Sequence, residues 1–235
     1  MQCRGVHITA GTASVFREPA LDLGVRATEV MSAFYKALQG SQRLHLNDLQ
    51  TFGGNTYGDL RLSINTFGGG GKIDIRADAL IVELRDMKQL DYVAAAKEHI
   101  ALCEDTLRRA IQGLDVKERL MRASIWLACD GGGAAVDKFL NEKGNAALKT
   151  DQGAYAALQK EFLLQFNGLD AQKGTRVGLT LQRSTQEGDL FVQFDHTIYG
   201  NPVVTQTVRE QFDTAEKEMQ ALMAHVGLEV VKQDA

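Results

Sequence analysis

The 235-residue sequence predicts an α+β fold with a mainly antiparallel sheet, and three patterns predict it. Apolar and polar residues alternate through residues 56–84, the period of half-buried strands. Apolar residues recur every three or four positions over residues 21–38, 93–114 and 208–226, the period of helices packed on one side. Thr-Phe-Gly-Gly occurs at 51–54 and again at 66–69, where the alternating stretch has to turn.

In chain order, Val6, Ile8 and Ala10 predict an N-terminal strand that ends before Pro19. Leu23, Ala27, Val30, Met31, Phe34 and Leu38 mark the first helix, with Pro19 near its start and Gly40 just past its end. Leu44 and Leu46 begin a three-strand meander. Its second strand sets Leu60, Leu62 and Ile64 against Tyr57, Asp59, Arg61, Ser63 and Asn65, and its third sets Ile73 and Ile75 against Lys72, Asp74 and Arg76. The apolar phase slips after Ala77, since Leu80, Val82 and Leu84 fall where polar residues stood, so a bulge or sharp bend is expected near Asp78. Gly53-Gly54-Asn55 and residues 68–71, all glycine, serve as hairpin turns. They are not a phosphate loop, because Gly71-Lys72 runs into Ile73 and a strand, and Thr66 stands where the first glycine of that motif belongs.

The middle of the chain reads as helix throughout. Val93, Ala96, Ile100, Cys103, Leu107, Ala110 and Leu114 form one stripe; Val116, Leu120, Ala123 and Leu127 continue as a second after Gly113. A short helix through Val136, Phe139 and Leu140 follows Gly131-Gly132-Gly133, and another covers 155–166. The expectation is one domain, 1–235, with a helical layer or insertion at about 90–167. Val177, Leu179 and Leu181, then Leu190, Val192, Phe194 and Ile198, predict a C-terminal hairpin, and Val208, Phe212, Ala215, Met219, Leu222 and Val226 a last helix after Pro202. Without the first strand and the insertion, this element order resembles that of small secretion chaperones, which bind polypeptide partners as dimers.

Composition narrows the partners. A net charge of −4 with no basic, aromatic-rich patch argues against nucleic acid. No apolar run nears the ~18 residues that span a bilayer, and no leader-like segment opens the chain, so a cytoplasmic protein is expected, without a membrane partner. Cys3, Cys103 and Cys129 are odd in number and far apart, which suits reduced, buried thiols.

Several residues could carry chemistry. His196 sits on the apolar face of its strand beside Asp195 and near Tyr199, but both neighbours point to the other face and cannot orient it. Asp130 leads Gly131, Gly132 and Gly133 into a helix whose free N–H groups could hold an anion. His99 and Cys103 lie four apart on a helix, two ligands where a structural zinc needs four, so no metal and no cofactor is expected. The first functional expectation is a non-catalytic interaction or assembly subunit that binds a protein partner or a second copy of itself. The alternative is a nucleotide- or anion-binding protein or enzyme with a cleft between sheet and helical insertion, using His196, Arg61 or Gly131, Gly132 and Gly133.

Overall fold

A computed structural model describes residues 1–53, 56, 59–87, 92–148, 163–184 and 187–231. It is an α+β protein, with ten strands and five helices among the described residues. In chain order these are β1 (Gln2–Phe16), α1 (Leu23–Leu38), β2 (Leu49–Phe52), β3 (Arg61–Thr66), β4 (Gly71–Arg76), β5 (Ala79–Met87) and α2 (Tyr92–Ala110). There follow β6 (Val116–Cys129), α3 (Gly132–Leu148), β7 (Leu164–Asp170), β8 (Thr175–Arg183), β9 (Leu190–Tyr199), α4 (Asn201–Thr205), α5 (Val208–Val226) and β10 (Glu229–Val231).

The sheet order is β2-β3-β4-β5-β1-β6-β9-β8-β7, with β10 parallel to the start of β1 and every other pairing antiparallel. Read outward from the central β1–β6 pair, the two wings match: β5 with β9, β4 with β8, β3 with β7. The chain runs strand, helix, strands, helix once through α2 and again from β6 to α5, so the topology is duplicated about an axis near the Ala10–Ala123 register pair. Alternate residues of each strand point the same way. Ile8, Ala10, Phe16, Leu62, Ile64, Ile73, Ile75, Leu80 and Val82 from the first wing, and Ile125, Leu179, Leu181, Val192, Phe194 and Ile198 from the second, form a single buried layer beneath the helices. α2 lies against α1, α5, β1 and β5; α5 lies on β9, and α3 on β6, β7 and β8. No helix among the described residues covers the opposite face of the sheet.

The expected meander is present as β2, β3 and β4, continued by β5, but its first strand starts at Leu49: Leu44 lies in the loop and Leu46 in the helical turn before it. The phase slip is met by a bend at Ala77 and Asp78, which keeps Ile73, Ile75, Leu80 and Val82 on one face. The second Thr-Phe-Gly-Gly is the β3–β4 turn, where Phe67, Gly68 and Gly69 all take positive φ. A Cβ on the following Gly71 would collide with the Thr66 hydroxyl and crowd Leu84. Gly54 and Asn55 in the first copy lie outside the described residues. α5 has the best-defined ends: a Thr207–Glu210 capping box, and Gly227 in the left-handed region at its C-terminus.

Four other expectations are corrected. Residues 116–129 are not helix but β6, the longest neighbour of β1, so the middle of the chain is helix, strand, helix. The predicted fourth helix falls largely outside the described residues, and from Leu164 onward its span is strand β7. With a strand in the centre, the resemblance in element order to secretion chaperones lapses. The cysteine expectation changes with it: Cys3 of β1 and Cys129 of β6 are register partners, 4.1 Å apart at Cα, and are joined as a disulfide, leaving Cys103 as the buried thiol.

Candidate functional site

Two places concentrate polar chemistry, one inside the molecule and one on the bare face of the sheet. The inner one exists because β6 turns Arg119 toward the helices, where it is 1% exposed. A guanidinium there is costly unless fully paired. Its Nη2 donates to Glu104 Oε1 of α2 at 2.6 Å, its Nε donates to Oε2 at 3.1 Å, and its Nη1 donates to Gln211 Oε1 of α5. Ser14 Oγ on β1 donates to Glu104 Oε2 at 3.0 Å, and Arg108 reaches Glu104 Oε1 from the next turn of α2 at 2.9 Å. Gln211 Nε2 in turn donates to the Pro202 carbonyl at 3.0 Å, holding the α4–α5 connection. Burial pushes the Glu104 carboxyl up, but the attraction and hydrogen bonds of Arg119 and Arg108 outweigh it and keep the group ionised below the usual carboxylate range. With each member satisfied, the cluster fastens α2 and α5 to the central strand pair and has no group poised to accept a substrate's proton.

His196 lies beside it, in the register row Thr12–Met121–His196. The ring is completely buried and stacks near Phe194, with centroids 6.2 Å apart. Nε2 is 3.0 Å from Glu218 Oε2 of α5, at an angle outside hydrogen-bond geometry, and Nδ1 and the nearby strand's Thr12 Oγ1 have no hydrogen-bond partner among the described residues. Burial depresses the imidazole pKa; the Glu218 carboxylate opposes this without overcoming it. Asp195 points to the other face, as its place in the strand requires, and accepts Arg122 Nε at 2.6 Å.

The other expected site residues are elsewhere. Arg61 is on the bare face of the first wing, its Nε donating to Asp74 Oδ1 at 3.0 Å and its guanidinium over the Phe52 ring at 5.2 Å. Gly131 and Gly132 take positive φ at the β6–α3 turn, and a Cβ on Gly133 would strike the Arg183 guanidinium. Arg183 occupies that turn through Asp137 at 3.3 Å and the Asp189 carbonyl at 2.8 Å. His196, Arg61 and the three glycines are therefore on opposite faces and ends of the sheet and do not converge on one cleft.

His99 and Cys103 do meet on α2, Nε2 to Sγ at 3.9 Å, but no group of three or more metal-ligating side chains occurs among the described residues. Burial raises the Cys103 thiol pKa and lowers that of His99 to about 4. The folded state thus binds fewer protons than the unfolded one below about pH 6.5, so His99 costs stability as the pH falls from there toward 4, at up to about 1.4 kcal/mol per unit. Urea titrations of wild type and His99→Gln at several pH values in this window should give the variant the flatter slope; equal slopes would mean the ring takes up its proton without leaving the core.

The bare face is the second place. At its centre Thr9, Gly11 and Ala13 of β1 floor a depression of about 310 Å³, walled by Ile81, Leu120 and Arg122. A Cβ on Gly11 would stand 2.9 Å from the Val82 carbonyl, so the floor is low because that side chain is missing. Toward the second wing Trp126 and Phe191 form a ring pair 4.9 Å apart, next to the Arg122–Asp195 ion pair. Arg119, Glu104 and Gln211 escape sequence reasoning because their meeting depends on β6; once 116–129 is a strand, a charged residue on its inner face is the signal.

No protein-family model matches the chain, nor does any curated protein. Among solved structures, TBP from Methanococcus jannaschii aligns over 92% of this chain and 99% of its own, at 12% identity and a TM-score of 0.35. An unknown protein from Galdieria sulphuraria aligns over 92% and 94%, at 11% identity and a TM-score of 0.16. Neither likeness is close enough to carry an inference about fold or function.

Proposed function

We propose that this chain is a non-catalytic interaction subunit whose bare sheet face receives a protein partner, centred on the Gly11 depression. The observation that supports this reading most is the contrast between the faces. One is closed over a satisfied polar latch, and the other presents small residues walled by Leu120 and Arg122, with the Trp126–Phe191 ring pair beyond Ser124 on the same face. Tryptophan and arginine beside a shallow pocket are the residue types that dominate protein interfaces. Binding partners recovered with wild type should be lost with Arg122→Glu or Trp126→Ala, by about 30-fold or more in affinity, with both variants still folded and their melting temperatures lowered only as far as loss of the Arg122–Asp195 pair or the Trp126–Phe191 contact requires. Undiminished capture by both variants would move the interface off this face.

A cytoplasmic location, expected from the sequence, would leave Cys3 and Cys129 as thiols; their pairing favours a compartment where a disulfide persists. No helix of the described residues is long and apolar enough to cross a membrane.

A second reading has one observation behind it, a cavity of about 670 Å³ between α5, β10 and Ile125, walled by Met219, Met223 and Leu228. Its apolar walls and the rim carboxylates Glu216 and Glu229 suit an apolar ligand better than a nucleotide or anion. A thermal-shift panel separates the two readings, since a ligand at 100 times its Kd stabilises by about 2.7 kcal/mol.

A further inference from the structure

The two ends of the sheet differ in how they are guarded. At one end β2 has four residues, starts from a helical turn closed by Asp48 on the His45 N–H at 2.7 Å, and carries the Arg61 guanidinium 5.2 Å over its Phe52 ring, which is itself 47% exposed. Short edges with a charge beside them discourage further strand pairing. The other end is β7, seven residues long, with Gln165 to Leu169 all exposed. Being last in the sheet, it has no strand partner for its outer row of N–H and C=O groups among the described residues. Residues 163–169 contain no charged residue and no proline; Asp170, the last residue of β7, is the strand's one charge and pairs with Lys173. Three large apolar residues stand open to solvent there: Leu163 at 56%, Phe166 at 41% and Leu169 at 64%.

The order of these residues selects the occupant. The segment Leu163-Leu164-Gln165-Phe166-Asn167-Gly168-Leu169 is close to a chemical palindrome about Phe166: amides at one step either side and leucines at three, with the mismatch at two, where the buried Leu164 stands opposite Gly168. In an antiparallel pair, residues directly opposite share a face, and here the even-numbered ones face the helices while the odd-numbered ones face the bare side. An antiparallel partner that is a second copy, in register about Phe166, therefore sets Phe166 against Phe166, Leu163 against Leu169, and Gln165 against Asn167. Each exposed apolar side chain meets another, each amide meets an amide, and no charges are opposed. The neighbouring even register, about Asn167, would instead put Leu169 opposite Gln165 and Phe166 opposite Gly168.

We infer that β7 is a homodimer edge, pairing antiparallel with β7 of a second copy about Phe166, so that one continuous sheet crosses both chains. The arrangement is an isologous contact, closed by its own two-fold axis, and does not polymerise through this edge. It uses strand backbone rather than the bare face, so it holds or fails independently of the partner site proposed above.

Sedimentation equilibrium of the full chain over a concentration series should give a mass moving from one chain to two. Phe166→Lys, which places two ammonium groups face to face on the axis, should weaken this by about 100-fold. Phe166→Glu should do the same alone, and an equimolar mixture of the two variants should restore the dimer, a result that misfolding cannot produce. Phe166→Cys should cross-link into a reducible dimer, because only the residue on the axis meets its own copy, while Asn167→Cys should not. A single-chain mass at every concentration, a dimer indifferent to the charge pair, or cross-linking through position 167 rather than 166 would each overturn the proposal.

Discussion

Glu104→Ala should destabilise the protein by about 3–5 kcal/mol, the range seen when one partner of a buried ion pair is removed. The loss comes from what remains. Arg119 is almost wholly enclosed, and without Glu104 its guanidinium would have Gln211 and the Ser14 hydroxyl as neighbours, neither of which carries charge. Replacing both members with apolar residues, Arg119→Met with Glu104→Leu, should recover more than half of that loss, because no charge is then stranded. Urea unfolding midpoints at constant m-value give the comparison. If the single variant lost less than about 1 kcal/mol, water would have to reach Arg119, and the interior cluster would become a solvated pocket able to take a ligand.

Reduction of the Cys3–Cys129 bond should lower stability by about 2–5 kcal/mol. The bridge closes a loop with a sequence separation of 126 residues, and loops of this length give the largest constraint on the unfolded chain in the entropic account. The same pair predicts a thiol count: under denaturant without reductant one group, Cys103, reacts, and after reduction three do. Differential scanning calorimetry with and without reductant measures the first effect. An unchanged transition, or three reactive thiols from the outset, would show that the two sulfurs are adjacent but unbonded.

Much of the sheet is legible in the sequence where one face is apolar and the other polar. β3, β4 and β5 alternate cleanly, and even the bend at Asp78 announces itself as a slip of phase. The central strands are the hard ones, for a shared reason. β1 presents Thr12 and Ser14 on its inner face, and β6 presents Arg119, so the alternation is broken where the polar latch is built. In β6 four of the apolar residues, Val116, Leu120, Ala123 and Leu127, happen to fall at spacings of four, three and four, the helical period, which masks the strand alternation of Met121, Ala123, Ile125 and Leu127. Leu120 in fact lines the depression on the bare face, while Leu127 is in the core. The inward placement of His196 could be read from its strand. Its partner Glu218 could not, since it lies on α5 and is fixed by tertiary packing. Arg61 and the 131–133 glycines show the converse: each is chemically suggestive in isolation, and their separation is a property of the sheet order alone.

The duplicated topology has a consequence for how the chain reaches this structure. Hairpins such as β3–β4–β5 and β8–β9 close over short turns and can form within each half as soon as it is made. The β1–β6 contact joins positions as distant as Cys3 and Cys129, so its closure carries a larger entropic toll and comes late. Oxidation of these two sulfurs then acts as a stamp of maturity, fixed on a chain only when its halves have already zipped together.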